Sequence, residues 1–319
     1  MSDQHLEGRG AIVTGAGRGI GEAIARALYE AGASVIIADN GGAIDGSGGD
    51  ASVAEGVADS LGARAVAFTK SVADPDAAAE MVALAAAEFG GIDIIVNCAA
   101  ILRDGLVFKG PPADWDEVVR NNLSAAYYLT HAATPLMRQQ FKDGRGTIGE
   151  TGDSYDWGRV INIGSTAGLY GNFGQANYGS AKAGLMGLSR ITAMEMIRSN
   201  VTCNLVAPFA HSRVTDMIQP ANDAQAEYKE RAMKVAPSHV ANLVCYLAGH
   251  HGAGITGQIF GVRGREVFLF SQPRPVATLV SEGSEWSGAE LAAAMKGEFR
   301  DQFTSLETDL EAFDTEPIV

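Results

Sequence analysis

Cysteine and long apolar runs are both scarce in this sequence of 319 residues. The three cysteines, Cys98, Cys203 and Cys245, are an odd set without metal-type spacing, which favours a reducing compartment over a disulfide-bonded, secreted fold. No stretch approaches the about 18 uncharged apolar residues of a membrane span, and the N-terminus lacks an apolar signal core. The sequence therefore predicts a soluble, cytoplasmic protein.

Basic residues are also few, with 24 Lys and Arg against 38 Asp and Glu and a formal net charge of −14. An acidic surface repels nucleic acid and anionic membranes, so we expect neither as a partner, although a local basic pocket could still receive an anion. Four of the histidines, His131, His211, His250 and His251, form no ligand pattern, and we expect no metal site. Apolar residues, at 46%, are ample for a packed core.

Short apolar segments alternate with helical patterns along most of the chain. Predicted strands cover residues 11–13, 34–38, 65–68, 93–96, 160–163, 201–206 and 258–262, and predicted helices cover 20–31, 50–61, 76–89, 114–137, 177–198 and 238–247. This alternation indicates an α/β fold: a Rossmann-type, doubly wound parallel sheet of about seven strands with helices on both faces. Sheets of this kind bind ligands at the carboxyl ends of their strands.

A glycine-rich turn joins the first predicted strand to the first predicted helix, with the spacing G-x-x-x-G-x-G. Glycine allows the backbone to approach a pyrophosphate, and the helix N-terminus offers free N–H groups and a positive dipole. A plain tight turn would also use glycine, but the flanking strand and helix favour a dinucleotide site. The residues predicted to bind there are Gly15, Arg18, Gly19, Ile20 and Gly21.

Asp39, at the end of the second predicted strand, favours NAD over NADP. A carboxylate there can accept hydrogen bonds from the adenosine ribose and repels a 2′-phosphate. Arg18 argues the other way, because its guanidinium could contact that phosphate. Asp39 could also serve only as a turn former before Asn40 and Gly41.

Small and apolar residues after the other strands complete the predicted cofactor site. Small side chains leave room for a flat adenine or ribose, although plain packing of helix on sheet explains any one of them equally well. The residues are Ser71, Val72, Asn97, Ala99, Ala100, Ile163, Pro208 and Phe209.

Tyr178 and Lys182 stand four positions apart on one face of a predicted helix. A nearby ammonium stabilises a phenolate, so we expect Lys182 to lower the pKa of Tyr178 and make it a general acid/base. Lys182 could also hold the nicotinamide ribose, Ser165 could hydrogen-bond the substrate oxygen, and Asn122 could hold a water for a proton relay. A Tyr-x-x-x-Lys pair alone is usually a solvated helix face; its place after Ser165 and the glycine turn favours catalysis.

These motifs resemble the classical short-chain dehydrogenase/reductase family, from Arg9 to about Val262. The family's glycine turn matches Gly15, Gly19 and Gly21, and its catalytic residues match Asn122, Ser165, Tyr178 and Lys182. Two places depart from the family pattern. The usual Asn-Asn-Ala-Gly is Asn97-Cys98-Ala99-Ala100 here, and the usual Pro-Gly after strand six is Pro208-Phe209, which would put an aromatic ring near the nicotinamide.

A narrower resemblance is to the dehydrogenase part of peroxisomal multifunctional enzyme type 2. It is carried by residues 99–104, 168–178, the glycine-rich segment 40–49 and the tail 271–311. This resemblance implies NAD-dependent oxidation of (R)-3-hydroxyacyl-CoA thioesters, and bacterial relatives serve fatty-acid or steroid side-chain breakdown. The substrate residues expected on this basis are Ser165, Tyr170, Phe173, Tyr178 and Met217, within reach of a covering segment 209–237.

The resemblance also implies a homodimer or homotetramer built on the helices predicted at 114–137 and 177–198. Residues 1–270 are predicted as the dinucleotide-binding catalytic domain and residues 271–319 as a C-terminal extension, with a weakly amphipathic helix over 288–310. The extension is too short for its own core, so we expect it to pack on its domain or on a neighbouring subunit. Segment 142–158 is predicted as a surface excursion.

Three other functions remain open from the sequence. A 3-oxoacyl carrier-protein reductase would use NADPH, which Asp39 disfavours, and an acidic carrier protein would find no general attraction in a chain of charge −14. A dehydrogenase of free hydroxysteroids or other secondary alcohols fits the same catalytic residues. An inactive NAD-binding regulator is disfavoured because the catalytic residues are complete.

Overall fold

The computed structural model describes residues 5–146, 155–211 and 223–319, and its centre is one eight-stranded sheet in the order β3-β2-β1-β4-β5-β6-β7-β8. Strands β1 to β7 run parallel, and β8 pairs antiparallel with β7. The strands are β1 (Gly10–Thr14), β2 (Ser34–Ala38), β3 (Ala65–Phe68), β4 (Ile94–Asn97), β5 (Arg159–Ile163), β6 (Thr202–Phe209), β7 (Ile259–Arg263) and β8 (Glu266–Leu269).

Helices cover both faces of the sheet. They are α1 (Gly19–Glu30), α2 (Ser52–Leu61), α3 (Pro75–Phe89), α4 (Pro112–Val119), α5 (Ala125–Asp143), α6 (Ala176–Met196), α7 (Asp223–Met233), α8 (Ser238–Ala248), α9 (Gly288–Ala294) and α10 (Asp309–Ala312). A π-helical turn, Arg120–Ser124, joins α4 to α5. The predicted Rossmann-type α/β fold is confirmed.

Two hydrophobic cores lie on opposite faces of the sheet, because successive strand residues point to opposite sides. Val13 and Ile37 pack with α1, α2 and α8, whereas their neighbours Ile12 and Ile36 pack with α3, α5 and α6. Strand β1 lies between β2 and β4, so the strand order reverses there. In a doubly wound sheet that reversal opens a crevice at the carboxyl ends of the strands.

Three sequence predictions need correction: the number of strands, the single helix over 288–310 and the surface placement of segment 142–158. The eighth strand was not predicted, because Glu266–Leu269 is a short edge strand with alternating exposure. The single helix predicted over 288–310 is wrong: α9 ends at Ala294, irregular turns follow, and α10 is separate. Neither α9 nor the π turn Met295–Phe299 buries a side chain, so no packing holds a longer helix together.

The segment predicted as a surface excursion, 142–158, is partly buried where the structure describes it. Tyr155 is fully buried and donates a hydrogen bond to Asp93 (3.1 Å), and Arg145 forms an ion pair with the same carboxylate (3.1 Å). A buried carboxylate needs such partners, which ties the segment to the amino-terminal edge of β4.

Within the described residues, no helix combines the length and apolar character needed to cross a bilayer. The same residues contain no group of three or more His, Cys, Asp or Glu side chains placed to hold a metal ion.

Candidate active site

The glycine turn between β1 and α1 is shaped by close backbone approach. Gly15 has a φ of +65°, and a Cβ there would lie 2.8 Å from the Cα of Ala99. A Cβ at Gly21 would lie 2.0 Å from the carbonyl oxygen of Gly15. Gly19 has a φ of +57°, but a Cβ there would meet open space.

The start of α1 faces this turn without a side-chain cap, since Arg18 at the N-cap position makes no capping hydrogen bond. Ile20 follows in the first turn and packs partly against the core. Uncapped N–H groups beside open space are what a pyrophosphate requires. The local geometry therefore fits a dinucleotide.

Thr14 was not among the predicted site residues. Its hydroxyl oxygen accepts hydrogen bonds from the N–H groups of Cys98 (3.0 Å) and Ala99 (3.1 Å). The side chain thus fixes the loop after β4 against the glycine turn. A polar residue directly before the first glycine was the available signal.

Asp39 is buried and its carboxylate accepts two backbone hydrogen bonds, from Gly17 (2.9 Å) and Gly41 (2.7 Å). It is therefore a turn former, and each oxygen keeps a second lone pair for a ribose hydroxyl. Arg18 donates to the carbonyl oxygen of Gly42 (3.3 Å), which directs its guanidinium toward the 40–49 segment.

Val72, Asn97 and Ala99 line a small recess with Thr14 and the helix that carries Asn122. The Asn97 side chain donates to Asn162 on the neighbouring strand (2.8 Å), so its amide is engaged within the sheet. The Ser71 hydroxyl accepts from the N–H of Ala73 (3.3 Å) and shapes the loop after β3.

Asn122 lies in the π turn between α4 and α5 and is buried. Its amide both accepts from the N–H of Ile101 (2.8 Å) and donates to the carbonyl oxygen of Ile101 (2.9 Å). The side chain therefore clamps the loop after β4. A π turn is frequent at functional sites, and here it turns Asn122 toward that loop.

Ser165, Tyr178 and Lys182 meet at the carboxyl end of β5. Ser165 precedes a 3₁₀ turn, and its hydroxyl oxygen accepts from the N–H of Ala167 (3.2 Å). Tyr178 in the first turn of α6 is hydrogen-bonded to Ser165. The Lys182 ammonium donates to the carbonyl oxygen of Ile163 (2.8 Å) and lies 5.7 Å from the centre of the Tyr178 ring.

Burial moves the pKa values of Tyr178 and Lys182 in opposite directions. It raises the pKa of Tyr178 to about 12, with the hydrogen bond to Ser165 acting to lower it. It lowers the pKa of Lys182 to about 8. The expected lowering of the Tyr178 pKa is therefore wrong for the protein without cofactor, because desolvation of the phenolate outweighs the opposing influences.

The remaining predicted cofactor residues lie at the same edge of the sheet. Ala100 packs in a small cluster with Tyr178, and Pro208 lies near the end of β6. The Phe209 ring packs on Phe313 (4.5 Å between ring centres) and Phe268 (6.2 Å).

Besides Ser165 and Tyr178, three substrate residues were predicted, and their surroundings differ. Tyr170 packs edge-on against Phe270 (6.4 Å) and Phe313 (6.0 Å), so its ring is partly committed to the protein. Phe173 is 84% exposed. Met217 lies outside the described residues.

A family model for short chain dehydrogenases matches residues 9–226. The chain belongs to this family. The match covers every element that builds the site, from the glycine turn to the end of β6. The family assignment made from the motifs is confirmed, and the chain is an oxidoreductase that acts on CH–OH groups with a nicotinamide nucleotide and a small-molecule substrate.

Named relatives extend the match beyond the family model. The chain is 36% identical to hydroxyacyl-CoA dehydrogenase ChsB1 of Mycobacterium tuberculosis, over 92% of this chain and 89% of that protein. It is 37% identical to peroxisomal multifunctional enzyme type 2 of Mus musculus, over 82% of this chain but only 32% of that longer protein. A crystal structure of a short chain dehydrogenase from Mycobacterium avium superposes with a TM-score of 0.75 at 33% identity, covering 92% of this chain and 94% of that one.

Proposed function

We propose that this short-chain dehydrogenase oxidises a 3-hydroxyacyl-CoA, of a fatty acid or a steroid side chain, to the 3-oxoacyl-CoA with NAD. The observation that carries the proposal is the group formed by buried Tyr178 and Lys182 with the partly buried Ser165 at the carboxyl edge of the sheet. The acyl-CoA substrate is supported by the similarity to a hydroxyacyl-CoA dehydrogenase over nearly the whole of both chains.

NAD is favoured by the surroundings of Asp39. Its carboxylate is held by the N–H groups of Gly17 and Gly41, between the glycine turn and the 40–49 segment. A 2′-phosphate at this place would lie beside a fixed negative charge, whereas two ribose hydroxyls could donate to it. Arg18 is turned to the Gly42 carbonyl oxygen, which weakens the argument for NADP.

The chain's own residues handle the proton and the substrate oxygen. The oxidised nicotinamide, when bound, supplies the two-electron acceptor and a positive charge that favours a phenolate. Tyr178, once it is the phenolate, accepts the hydroxyl proton at its phenolic oxygen, and Ser165 hydrogen-bonds the substrate oxygen as that oxygen becomes a carbonyl. Lys182, mainly protonated at neutral pH with a pKa of about 8, supports the phenolate.

The apolar part of the substrate lies, in this proposal, along Tyr170 and the exposed Phe173. The loop that carries Phe173 is tied to the loop after β4 by a hydrogen bond from the N–H of Gly105 to the carbonyl oxygen of Gly174 (2.7 Å). Gln175 adds a bond to Asp104 (3.0 Å). The two loops thus form one wall beside Tyr178.

We also propose that the protein is a homodimer or homotetramer. An exposed apolar stripe follows α6, where Ile191, Met194 and Ile197 recur every three residues, and Tyr127 on α5 is half exposed. Apolar stripes on the surface of a folded chain are typical of protein interfaces.

The test is NADH formation with a matched substrate panel: (R)- and (S)-3-hydroxyacyl-CoAs, their free acids, and free hydroxysteroids, each with NAD and with NADP. We expect turnover confined to the CoA thioesters and faster with NAD. Turnover of free alcohols alone would overturn the substrate, and preference for NADP would overturn the role of Asp39.

A further inference from the structure

The last residues of the chain are bound to the catalytic domain beside the active site. Arg263 at the end of β7 donates to the carbonyl oxygens of Phe313 (3.1 Å) and Thr315 (3.0 Å) and to the hydroxyl of Thr315 (2.8 Å). The N–H of Arg265 donates to the carbonyl oxygen of Ile318 (2.7 Å). Residues 309–318, called the tail clasp below, are therefore held by hydrogen bonds from the Arg263 side chain and the Arg265 main chain.

Aromatic packing fixes the same segment. The Phe313 ring lies 4.5 Å from Phe209, 5.2 Å from Phe268 and 6.0 Å from Tyr170, measured between ring centres. These rings come from the end of β6, from β8 and from the loop after β5. The tail clasp thus contacts the end of β6, β8 and the loop that follows Ser165.

Asp309 makes the contact closest to the chemistry. The residue is 8% exposed, and one carboxylate oxygen accepts hydrogen bonds from the hydroxyls of Thr166 and Tyr228, the latter at 2.8 Å. Thr166 directly follows Ser165, and Tyr228 lies on α7, within the segment expected to cover the substrate. One carboxylate oxygen therefore joins the Ser165 loop to α7.

We propose that Asp309 is a positioning residue: its carboxylate fixes the Ser165 loop relative to α7, so that the Ser165 hydroxyl is aimed at the substrate oxygen. The inference rests on the proposed function only in assigning Ser165 to that oxygen. In this proposal the tail clasp affects the rate of turnover as well as the packing of the domain.

Charge and burial support this assignment. A buried carboxylate costs stability unless it is hydrogen-bonded or paired. Burial and the Asp309 carboxylate raise the pKa of Tyr228, while Arg263 and Arg231 act to lower it. With its pKa raised, Tyr228 keeps its proton at neutral pH and remains a hydrogen-bond donor to Asp309.

The test uses Asp309→Ala, Tyr228→Phe and the double variant, with Asp314→Ala as the control. Asp314 lies in the same segment, is exposed, and makes a surface ion pair with Arg231 (3.2 Å). The readouts are kcat and KM for the best alcohol substrate, NADH binding by fluorescence titration, and the midpoint of thermal unfolding.

We expect Asp309→Ala, which removes the oxygen that accepts both hydrogen bonds, to lower kcat by roughly 10- to 100-fold, because small misplacement of a catalytic group is costly. NADH binding should stay near that of Asp314→Ala, and the protein should remain folded at the assay temperature. The double variant should lose less than the product of the two single losses, since both remove one contact.

Two results would overturn the proposal: unchanged kcat in Asp309→Ala, or a loss of kcat that only accompanies lower stability and weaker NADH binding. Failure of the proposed function is separate, because it would be seen in wild type as turnover of free alcohols without turnover of acyl-CoA. The kcat of the Asp309 variant can then be compared with that of wild type on whichever alcohol wild type oxidises.

Discussion

Tyr178 and Lys182 are both buried, and each pays a desolvation penalty in its charged form. In the protein without cofactor, the phenol is held neutral and the ammonium is destabilised. The chain therefore keeps a proton on Tyr178 until positive charge arrives. That state is suited to a residue that must exchange a proton only when a ligand is bound.

Lys182→Met tests this penalty through the pH dependence of stability. The folded pKa of Lys182 is about 8 against 10.5 unfolded, so between these values the unfolded state binds more protons and stability rises with pH. Below about pH 8 the penalty is fully present. The penalty lowers the free energy of unfolding of wild type by roughly 3 kcal/mol. Lys182→Met removes this penalty but also loses the hydrogen bond to the Ile163 carbonyl oxygen, so the net gain in stability is smaller.

The expected outcome is that the difference in unfolding free energy, variant minus wild type, falls by about 2–3 kcal/mol between about pH 7 and about pH 10. Urea unfolding across this range measures it. The exposed Lys142→Met is the control and should show a constant difference. A constant difference for Lys182→Met as well would contradict a buried, destabilised ammonium.

At the scale of elements, the turn from β1 to α1 needs glycine at position 21 because the backbone approaches closely there. Gly21 faces the Gly15 carbonyl oxygen, whereas Gly56 in the interior of α2 faces open space. Gly21→Ala should therefore lower the free energy of unfolding by about 1–3 kcal/mol and weaken NADH binding.

Gly56→Ala is the matched control, and we expect it to stabilise by up to about 1 kcal/mol because alanine is the better helix former. Thermal unfolding and NADH titration compare the two variants. Equal changes in unfolding free energy and NADH binding for the two variants would show that the close approach at Gly21 does not affect stability or cofactor binding.

The elements that could be predicted from the sequence are those marked by a pattern of neighbouring residues. Seven strands follow from apolar runs, and the pairing of Tyr178 with Lys182 follows from helical spacing. The short edge strand Glu266–Leu269 is defined by its antiparallel pairing with β7, a tertiary contact that its local sequence does not reveal. The roles of Thr14 and Asp309 depend on partners far along the chain, 143 positions away for Asp309 and Thr166, and no spacing reveals such contacts.

At the scale of the whole molecule, the apolar stripe on α6 predicts association. Met194 is 68% exposed. Met194→Lys should weaken the oligomer, because a lysine ammonium resists burial in an apolar interface. Light scattering after size-exclusion chromatography should then give a smaller mass at low protein concentration.

Leu306→Lys makes the same kind of change at a residue that is 99% exposed on the C-terminal extension. It should leave the mass of the oligomer unchanged. A monomeric wild type, or equal masses for wild type and Met194→Lys, would refute this interface.

The proposed reaction depends on Tyr178 as the group that accepts the proton, and Tyr178→Phe tests this most directly. The variant keeps the buried ring and loses only the hydroxyl. The rate of NADH formation from the best wild-type substrate should fall by about 10²-fold or more, with NADH binding unchanged. Turnover near the wild-type rate would contradict the account, because another group would then have to take the proton.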